Sequence, residues 1–251
     1  MLDFWAQRAE RFADDPRANT NDVWLREVEI ARVQEVLDRC QPSRVLDFGC
    51  ANGYTTLRLA DTNPKINFIG VDLSPEMVEV AHEAARRHHL AVDFRQVDVL
   101  ASTLDERFDL AISIRVFQNM ESREVQHAIV ERLVDLLEPG GHLFSIESYE
   151  TPYLELNRAR VELGLTELPI HEHLTLLSED FDHHVDNRMD LVFRSPVASS
   201  YYLVTRLLYS KLAQEEGTPI DYDHPIHRIA AELPEIGRFG PLRASLSRKR
   251  P

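Results

Sequence analysis

Cysteine, long apolar runs and positive charge are all scarce in this chain, and each shortage excludes something. Cys40 and Cys50 are the only cysteines in 251 residues, too few for a disulfide framework and in keeping with a reducing compartment. No apolar run approaches the roughly 18 residues that a bilayer span requires. The opening MLDFWAQRAERFADD is too charged for the apolar stretch of a signal peptide. A soluble cytoplasmic protein without a membrane partner is expected. Lysine and arginine number 28 against 42 aspartates and glutamates, for a net charge of -14. A field of that sign repels nucleic acid and anionic membrane. The basic end Arg248-Lys249-Arg250 reads as a solvated terminus. Internal repeats and low-complexity segments are absent too.

What is present is 43% hydrophobic residues, enough for a real core, patterned as alternating strands and helices. Asp22 is placed to cap a helix over Val23–Arg39, which Pro42 stops. Strands are expected at Arg44–Phe48, Ile66–Val71, Val92–Val97, Phe108–Ile114 and His142–Ile146. Between them lie a helix opening at Tyr54–Ala60, one capped by Ser74-Pro75 and running to about His88, and one over Glu124–Leu137 ended by Pro139-Gly140-Gly141. Uninterrupted alternation predicts a parallel sheet with helices on both faces, joined by right-handed crossovers. The second half is less regular. Pro152–Leu163 and Ser199–Gln214 read as helices, and Asp190–Arg194 and Leu242–Arg248 as strands. The stretch Leu165–Asp186 has no clear period, and 150–190 reads as an insertion.

The first strand runs into a turn, RVLDFGCANGYTTLRL, that puts Gly49, Ala51 and Gly53 on alternate positions. Glycine is favoured where φ must be positive or a Cβ would block a ligand's approach to the backbone. A dinucleotide fold prefers G-x-G-x-x-G with the pyrophosphate at the helix N-terminus. This spacing differs, and Asp47 before the first glycine would repel a pyrophosphate and suit an amino group. The second strand ends at Asp72, where an acid accepts from ribose hydroxyls. The third ends at Asp98, which can accept from an exocyclic amine. Three acids on one sheet edge fit an adenosine that carries an amino acid and no phosphate.

At these residues the chain resembles the class I S-adenosylmethionine-dependent methyltransferases. VLDFGCANG resembles their glycine-rich first motif, FIGVDLS the second, QVDVL the adenine-contacting motif, FDLAISIRVFQNM the fourth and LLEPGGHLFSIES the helix-to-strand motif that follows. The five span about 44–148 in order. The flanks TNDVWLREVEI, LNRARVELGL and SSYYLVTRLLY are similar to members from bacterial surface-polysaccharide and other sugar pathways. The resemblance implies an α/β fold, a doubly wound, mostly parallel seven-stranded Rossmann-like sheet in one domain. It implies a helical lid at 1–40, a cofactor-binding core at 41–150, a substrate cap with strand six at 151–235, and the last strand and tail at 236–251. It implies S-adenosyl-L-methionine as cofactor and S-adenosyl-L-homocysteine as product. Contacts to it are expected from Asp47, Gly49, Cys50, Ala51, Gly53, Asp72, Leu73, Met77, Asp98, Val99, Ile114 and Arg115, with Cys50 serving packing rather than chemistry.

The acceptor is less legible, because displacement from a sulfonium asks mainly for positioning and desolvation. A general base is needed only if the acceptor must lose a proton. His171, His173 and Arg115 are the catalytic candidates. The histidines are alternatively exposed loop residues, and Arg115 a surface or helix-cap residue. Asn119, Glu147, Asn157, Arg158, Tyr202 and Arg206 are candidates for binding substrate, with core packing the alternative for a tyrosine among Tyr201 and Tyr202. No metal is expected: HEH at 171–173 and DHH at 182–184 lack the i, i+4 helical spacing of ligand pairs. The expected activity is O-methylation of a small polar molecule, a sugar or related metabolite. The alternatives are N- or carboxyl-methylation of another metabolite, an NAD-dependent oxidoreductase, or a non-catalytic binding protein on the same fold.

Overall fold

The computed structural model describes residues 2–101 and 104–250. Its sheet contains β1 (Arg44–Phe48), β2 (Asn67–Asp72), β3 (Asp93–Gln96), β4 (Phe108–Ile114), β5 (Leu137–Ser148), β6 (Met189–Pro196) and β7 (Leu242–Lys249), in the order β3-β2-β1-β4-β5-β7-β6. Strands β1 to β5 pair in parallel. β7 runs antiparallel to both β5 and β6. This is the doubly wound, mostly parallel seven-stranded sheet that the resemblance implies. The chain winds outward from β1 to β3, then crosses to β4. The carboxyl ends of β1 and β4 therefore flank the point where winding reverses, which is where open sheets of this kind form a crevice.

Helices α1 (Leu2–Phe12), α2 (Val23–Cys40), α3 (Tyr54–Thr62), α4 (Pro75–His88), α5 (Arg123–Leu136), α6 (Glu150–Glu162) and α7 (Glu179–Arg188) accompany the sheet. Helix α8 (Ser199–Tyr202), a π-helical stretch (Leu203–Leu208) and α9 (Tyr209–Glu216) form one continuous rod, and α10 (Pro225–Ala231) follows. The starts follow local chemistry. Asp22 accepts from Leu25 N–H, Ser74 from Met77 N–H with Pro75 at the first helical position, and Ser122 from Val125 N–H. Each such cap contributes about 1 kcal/mol. Central strands are apolar on both faces because both are covered. One face packs under α2 and the α8–α9 rod, with Val33, Leu37, Leu110 and Phe144 in its core. The other packs under α5 and α7, with Leu46, Phe108, Leu133 and Phe181.

Several expectations are corrected. Pro139-Gly140-Gly141 does not separate α5 from its strand. The helix ends at Leu136 and β5 begins at once, with the three residues inside it. A register shift between Phe108 and Leu110 of β4 absorbs the irregularity, the setting in which a strand tolerates proline. The aperiodic stretch before β6 contains α7, whose buried residues are only Phe181, Asp182 and Val185. The basic tail is not solvated freely. Lys249 Nζ donates to the carbonyls of Val134 and Leu137, and Arg250 to Asp190 and to the carbonyls of Asp186, Asn187 and Met189 where α7 passes into β6. Among the described residues, no helix is long and apolar enough to cross a membrane.

Candidate functional site

A cavity of about 660 Å³ opens at the carboxyl ends of β1, β2 and β4. One wall comes from the turn after β1, with Asp47, Gly49, Cys50 and Ala51. Asp72, Leu73 and Met77 follow from β2 and the start of α4, Asp98, Val99 and Leu100 from the loop after β3, and Ile114 and Arg115 from the end of β4 and the residue after it. The opposite side is built by Phe4, Trp5 and Arg8 of α1, by Asn19, Thr20, Asn21 and Arg26 around the start of α2, and by Gln118, Asn119, His171 and His173 from two loops.

The turn after β1 is held tightly. The N–H groups of Gly49 and Cys50 both donate to Val71 O, at 2.8 and 3.0 Å. Gly49, Ala51 and Gly53 have φ of 75, 48 and 76°, a region that costs an ordinary residue about 1–2 kcal/mol. A Cβ on Gly49 would lie 2.4 Å from Val116 Cγ2, and one on Gly53 2.7 Å from Phe94 Cζ. The missing side chains therefore admit neighbouring protein groups. Gly53 lies behind the loop, caps α3 and is not part of the cavity wall.

In two of the acids burial outweighs every group that favours the charged form. Burial pushes Asp47 up to about 6, although a 2.5 Å hydrogen bond from Thr56 Oγ1 and the Arg26 charge oppose it. Burial also raises Asp72, against hydrogen bonds from the N–H groups of Ser74 and Ala51 at 2.9 and 2.8 Å. Asp98 accepts from the N–H groups of Leu100 and Ala101. Arg26, which sequence reasoning missed, is buried beside Asp47. Burial pushes it down to about 10 despite Glu29. Glu29 sits between two guanidinium groups, 3.2 Å from Arg26 Nη1 and 3.0 Å from Arg115 Nε. Arg26 Nε and Arg115 Nη2 have no hydrogen-bond partner. The signal was there as a charged pair, three residues apart, on the otherwise buried face of α2.

His171 and His173 stack with centroids 5.6 Å apart, and Phe4 lies 5.6 Å from His173. Burial and the neighbouring His171 lower the pKa of His173, so it favours the neutral base. Helix α1 falls within the lid expected at 1–40, but sequence reasoning did not name its lining residues Phe4 and Trp5. Asn52 ties the segment after α1 to the β1 turn by donating to the carbonyls of Ala13 and Asp15.

Five substrate candidates lie elsewhere. Glu147 is fully buried and its carboxylate accepts from Ser113 Oγ and three backbone N–H groups. Asn157 exchanges two hydrogen bonds with Leu168 and pins the loop after α6. Arg158 is exposed on the outer side of α6. Tyr202 is buried against Gly240. Arg206 is paired with Asp22, and Tyr201 donates to the same carboxylate. Polar residues at helical spacing were read as substrate-facing. The fold turns Glu147, Asn157 and Arg206 inward, where each satisfies backbone or charge. Only Asn119 of that set reaches the cavity, fixed by donation to Arg115 O at 2.6 Å.

Comparison with known proteins agrees with this geometry. Residues 45–141 match the family described as a methyltransferase domain. The chain is 29% identical over 162 residues to a malonyl-[acyl-carrier protein] O-methyltransferase of Bacillus cytotoxicus, covering 64% of this chain and 54% of that protein. It is 34% identical over 119 residues to a trans-aconitate 2-methyltransferase of Streptomyces coelicolor, covering 45% and 37%. The chain thus spans about half the length or less of these relatives. The fold is shared with the N-methyltransferase NodS of Bradyrhizobium japonicum in complex with S-adenosyl-L-homocysteine, at 17% identity, TM-score 0.61 and 98% coverage of both chains. Residues 45–141 thus match a methyltransferase domain, and the chain shares its fold with a solved methyltransferase.

Proposed function

We propose that this chain is a class I S-adenosylmethionine-dependent methyltransferase and transfers a methyl group to an oxygen of a small polar acceptor. The observation that carries the cofactor reading is the pair of desolvated carboxylates, Asp47 and Asp72, on one cavity wall with a buried, partly unpartnered guanidinium, Arg26, beside the first. A carboxylate held at about 6 by burial is relieved by a cation. A buried guanidinium with a free N–H is relieved by an anion. An α-amino acid supplies both. In this reading Asp47 receives the ammonium of the methionine part and Arg26 its carboxylate. Asp72 receives the ribose hydroxyls, and Asp98 with Val99 the adenine. Bound there, the sulfonium supplies an activated methyl and a neutral thioether leaving group. The chain's own task is to orient the acceptor oxygen and exclude water. Arg115, Gln118 and Asn119 are placed to orient it, and neutral His173 to take a proton from a hydroxyl acceptor.

An acceptor carboxylate fits the spare N–H of Arg115 and the malonyl and trans-aconitate chemistry named for the two relatives. A sugar fits the amides Asn19, Asn21, Gln118 and Asn119 together with the Trp5 ring. The cofactor test is calorimetric titration with S-adenosylmethionine and S-adenosylhomocysteine, with NAD as control. Micromolar binding of the first two alone is expected; binding of NAD alone would overturn the reading. Release of S-adenosylhomocysteine with a panel of dicarboxylic acids and sugars then separates the acceptors.

A further inference from the structure

Glu147 is the penultimate residue of β5, beside the strand ends that open on the cavity, yet it does not line the cavity itself. Its Oε1 accepts from Ser113 Oγ at 3.0 Å, Val116 N–H at 2.9 Å and Phe117 N–H at 3.1 Å, and its Oε2 from Gln118 N–H at 3.2 Å. Three successive backbone N–H groups thus converge on one carboxylate, an arrangement that ordinarily cradles a bound anion. Here the anion belongs to the protein.

The loop held in this way is the one that faces the acceptor. Arg115 adopts φ of 58°, a conformation an arginine keeps only when its surroundings impose it, and its N–H is fixed to Ile146 O at 2.7 Å. Gln118 and Asn119 both line the cavity, with Gln118 Oε1 accepting from Ser148 N–H at 3.1 Å and Asn119 Nδ2 donating to Arg115 O at 2.6 Å. Gln118 O accepts from Thr175 N–H at 2.8 Å, which steadies the loop that carries His171 and His173. Val116 fills the space where Gly49 has no Cβ, so the same loop abuts the turn after β1.

We propose that Glu147 is a positioning residue: it is the ligand of the 116–118 backbone and holds Arg115, Gln118 and Asn119 toward the acceptor. The role in holding the loop stands on geometry alone. Its consequence for methyl transfer rests on the function proposed above. Nearby charged or titratable groups are Tyr149, two residues on, and Arg243, directly opposite on β7. The Arg243 guanidinium lies over the Tyr149 ring and is directed toward Glu179 and Asp182 of α7. Burial raises the pKa of Glu147 to about 7 against the hydrogen bonds it accepts. Opening the loop to water would return it toward an ordinary carboxylate. By linkage the closed loop is then most favoured below about pH 4.5 and loses that contribution as pH rises through about 7.

The test is amide hydrogen exchange of the full chain, normalised at each pH to the rates of unstructured amides, on wild type, Glu147→Gln and Glu147→Met. Gln keeps the carbonyl acceptor, whereas Met keeps the volume without it. Orphaning buried N–H groups should speed exchange across 115–120 by about tenfold to a hundredfold in the Met variant, with the Gln variant within about threefold of wild type at pH 5. Loop protection in wild type should fall by about tenfold or more from pH 5 to pH 8, and stay flat in the Gln variant. Equal behaviour of Met and Gln would reduce Glu147 to a packing group and overturn the proposal, as would exchange rising equally across β1. The wild-type pH profile stands even if a variant fails to fold; a flat profile there overturns the proposal. S-adenosylhomocysteine titrated onto wild type keeps the two readings apart. Failure to bind removes the proposed function and leaves the loop result intact, whereas binding with an unmoved loop removes Glu147 alone.

Discussion

Two regions of this molecule bury aspartates and treat them in opposite ways. At the cavity, burial pushes up Asp47 and Asp72, and what they receive is a hydroxyl or backbone N–H. Under the cap, Asp22 is just as hidden, but its pKa lies well below the ordinary carboxylate range. Burial alone would raise it, and the His227 ring, the Arg206 charge and the Tyr201 hydroxyl outweigh that. The His227 Nδ1 is 2.7 Å from the Tyr201 oxygen and 3.7 Å from Asp22, so the ring acts mainly through the phenol. The comparison separates a carboxylate that the fold has completed from one that a ligand would complete. Glu147 limits the rule: its pKa is raised too, but its hydrogen-bonding sites are filled by protein and it faces no cavity. A raised pKa points to a ligand only where the geometry leaves an open side.

The largest effect should come from breaking the completed site. Asp22→Ala leaves Arg206 buried beside Tyr201, Tyr202 and Tyr222 without its counter-ion and removes the cap of α2. Losing one partner of a buried pair costs about 3–5 kcal/mol, read as a lower urea midpoint at unchanged slope. A loss below about 1 kcal/mol would mean that Asp22 contributes no more than a cap. Because its folded pKa is depressed, its contribution is present above about pH 4 and lost as pH falls further.

Opening the incomplete site should cost less stability and more binding. Asp72→Ala removes the acceptor proposed for the ribose, and S-adenosylhomocysteine affinity should weaken by about 1.5–3 kcal/mol, as loss of hydrogen bonds to a charged group does. Calorimetry reads this directly, and unchanged affinity would remove Asp72 from the cofactor site.

The sign of the Asp47 shift gives a third test. Below about pH 6 its folded carboxyl is protonated, so an ammonium must displace a proton to bind. Affinity for S-adenosylhomocysteine should therefore rise by about tenfold from pH 5 to pH 7 and then level off. In Asp47→Asn the profile should be flat and the plateau lower. A flat wild-type profile would place the ammonium elsewhere.

The same contrast explains how much could be read in advance. Strands β1 and β4 were placed to the residue, because a fully buried strand is an apolar run with abrupt ends. Helix α4 was placed equally well, because Ser74 and Pro75 start it by local chemistry. Asp47, Asp72 and Asp98 were legible because they sit where such strands stop. Helices α7 and α10 have short or polar sequences stabilised by what they pack on, which local patterns do not encode. Arg26 and Arg206 show why the acceptor side was harder. A charged residue on a helix face looks the same in sequence whether it meets solvent, a ligand or a buried carboxylate, and the partner that decides comes from a distant part of the chain. Arg206 and Asp22 are 184 residues apart.

The smallest predicted effect is the sharpest. Thr56 is fully buried, and its hydroxyl donates to Asp47 Oδ2 at 2.5 Å, the one side-chain hydrogen bond that opposes burial at that carboxyl. Thr56→Val keeps the shape and removes the donor. A hydrogen bond to a charged group contributes about 1.5 kcal/mol, or about one pKa unit, so Asp47 should hold its proton to a higher pH. At pH 8 the variant should bind S-adenosylhomocysteine within about threefold of wild type. The midpoint of its affinity-pH profile should move upward by about one unit. A midpoint that stays in place while affinity falls at every pH would mean that Thr56 acts by packing and that another group titrates. A midpoint that moves alone would tie the pH dependence to Asp47, and with it the difference between the carboxylate the fold leaves open and the one it has closed.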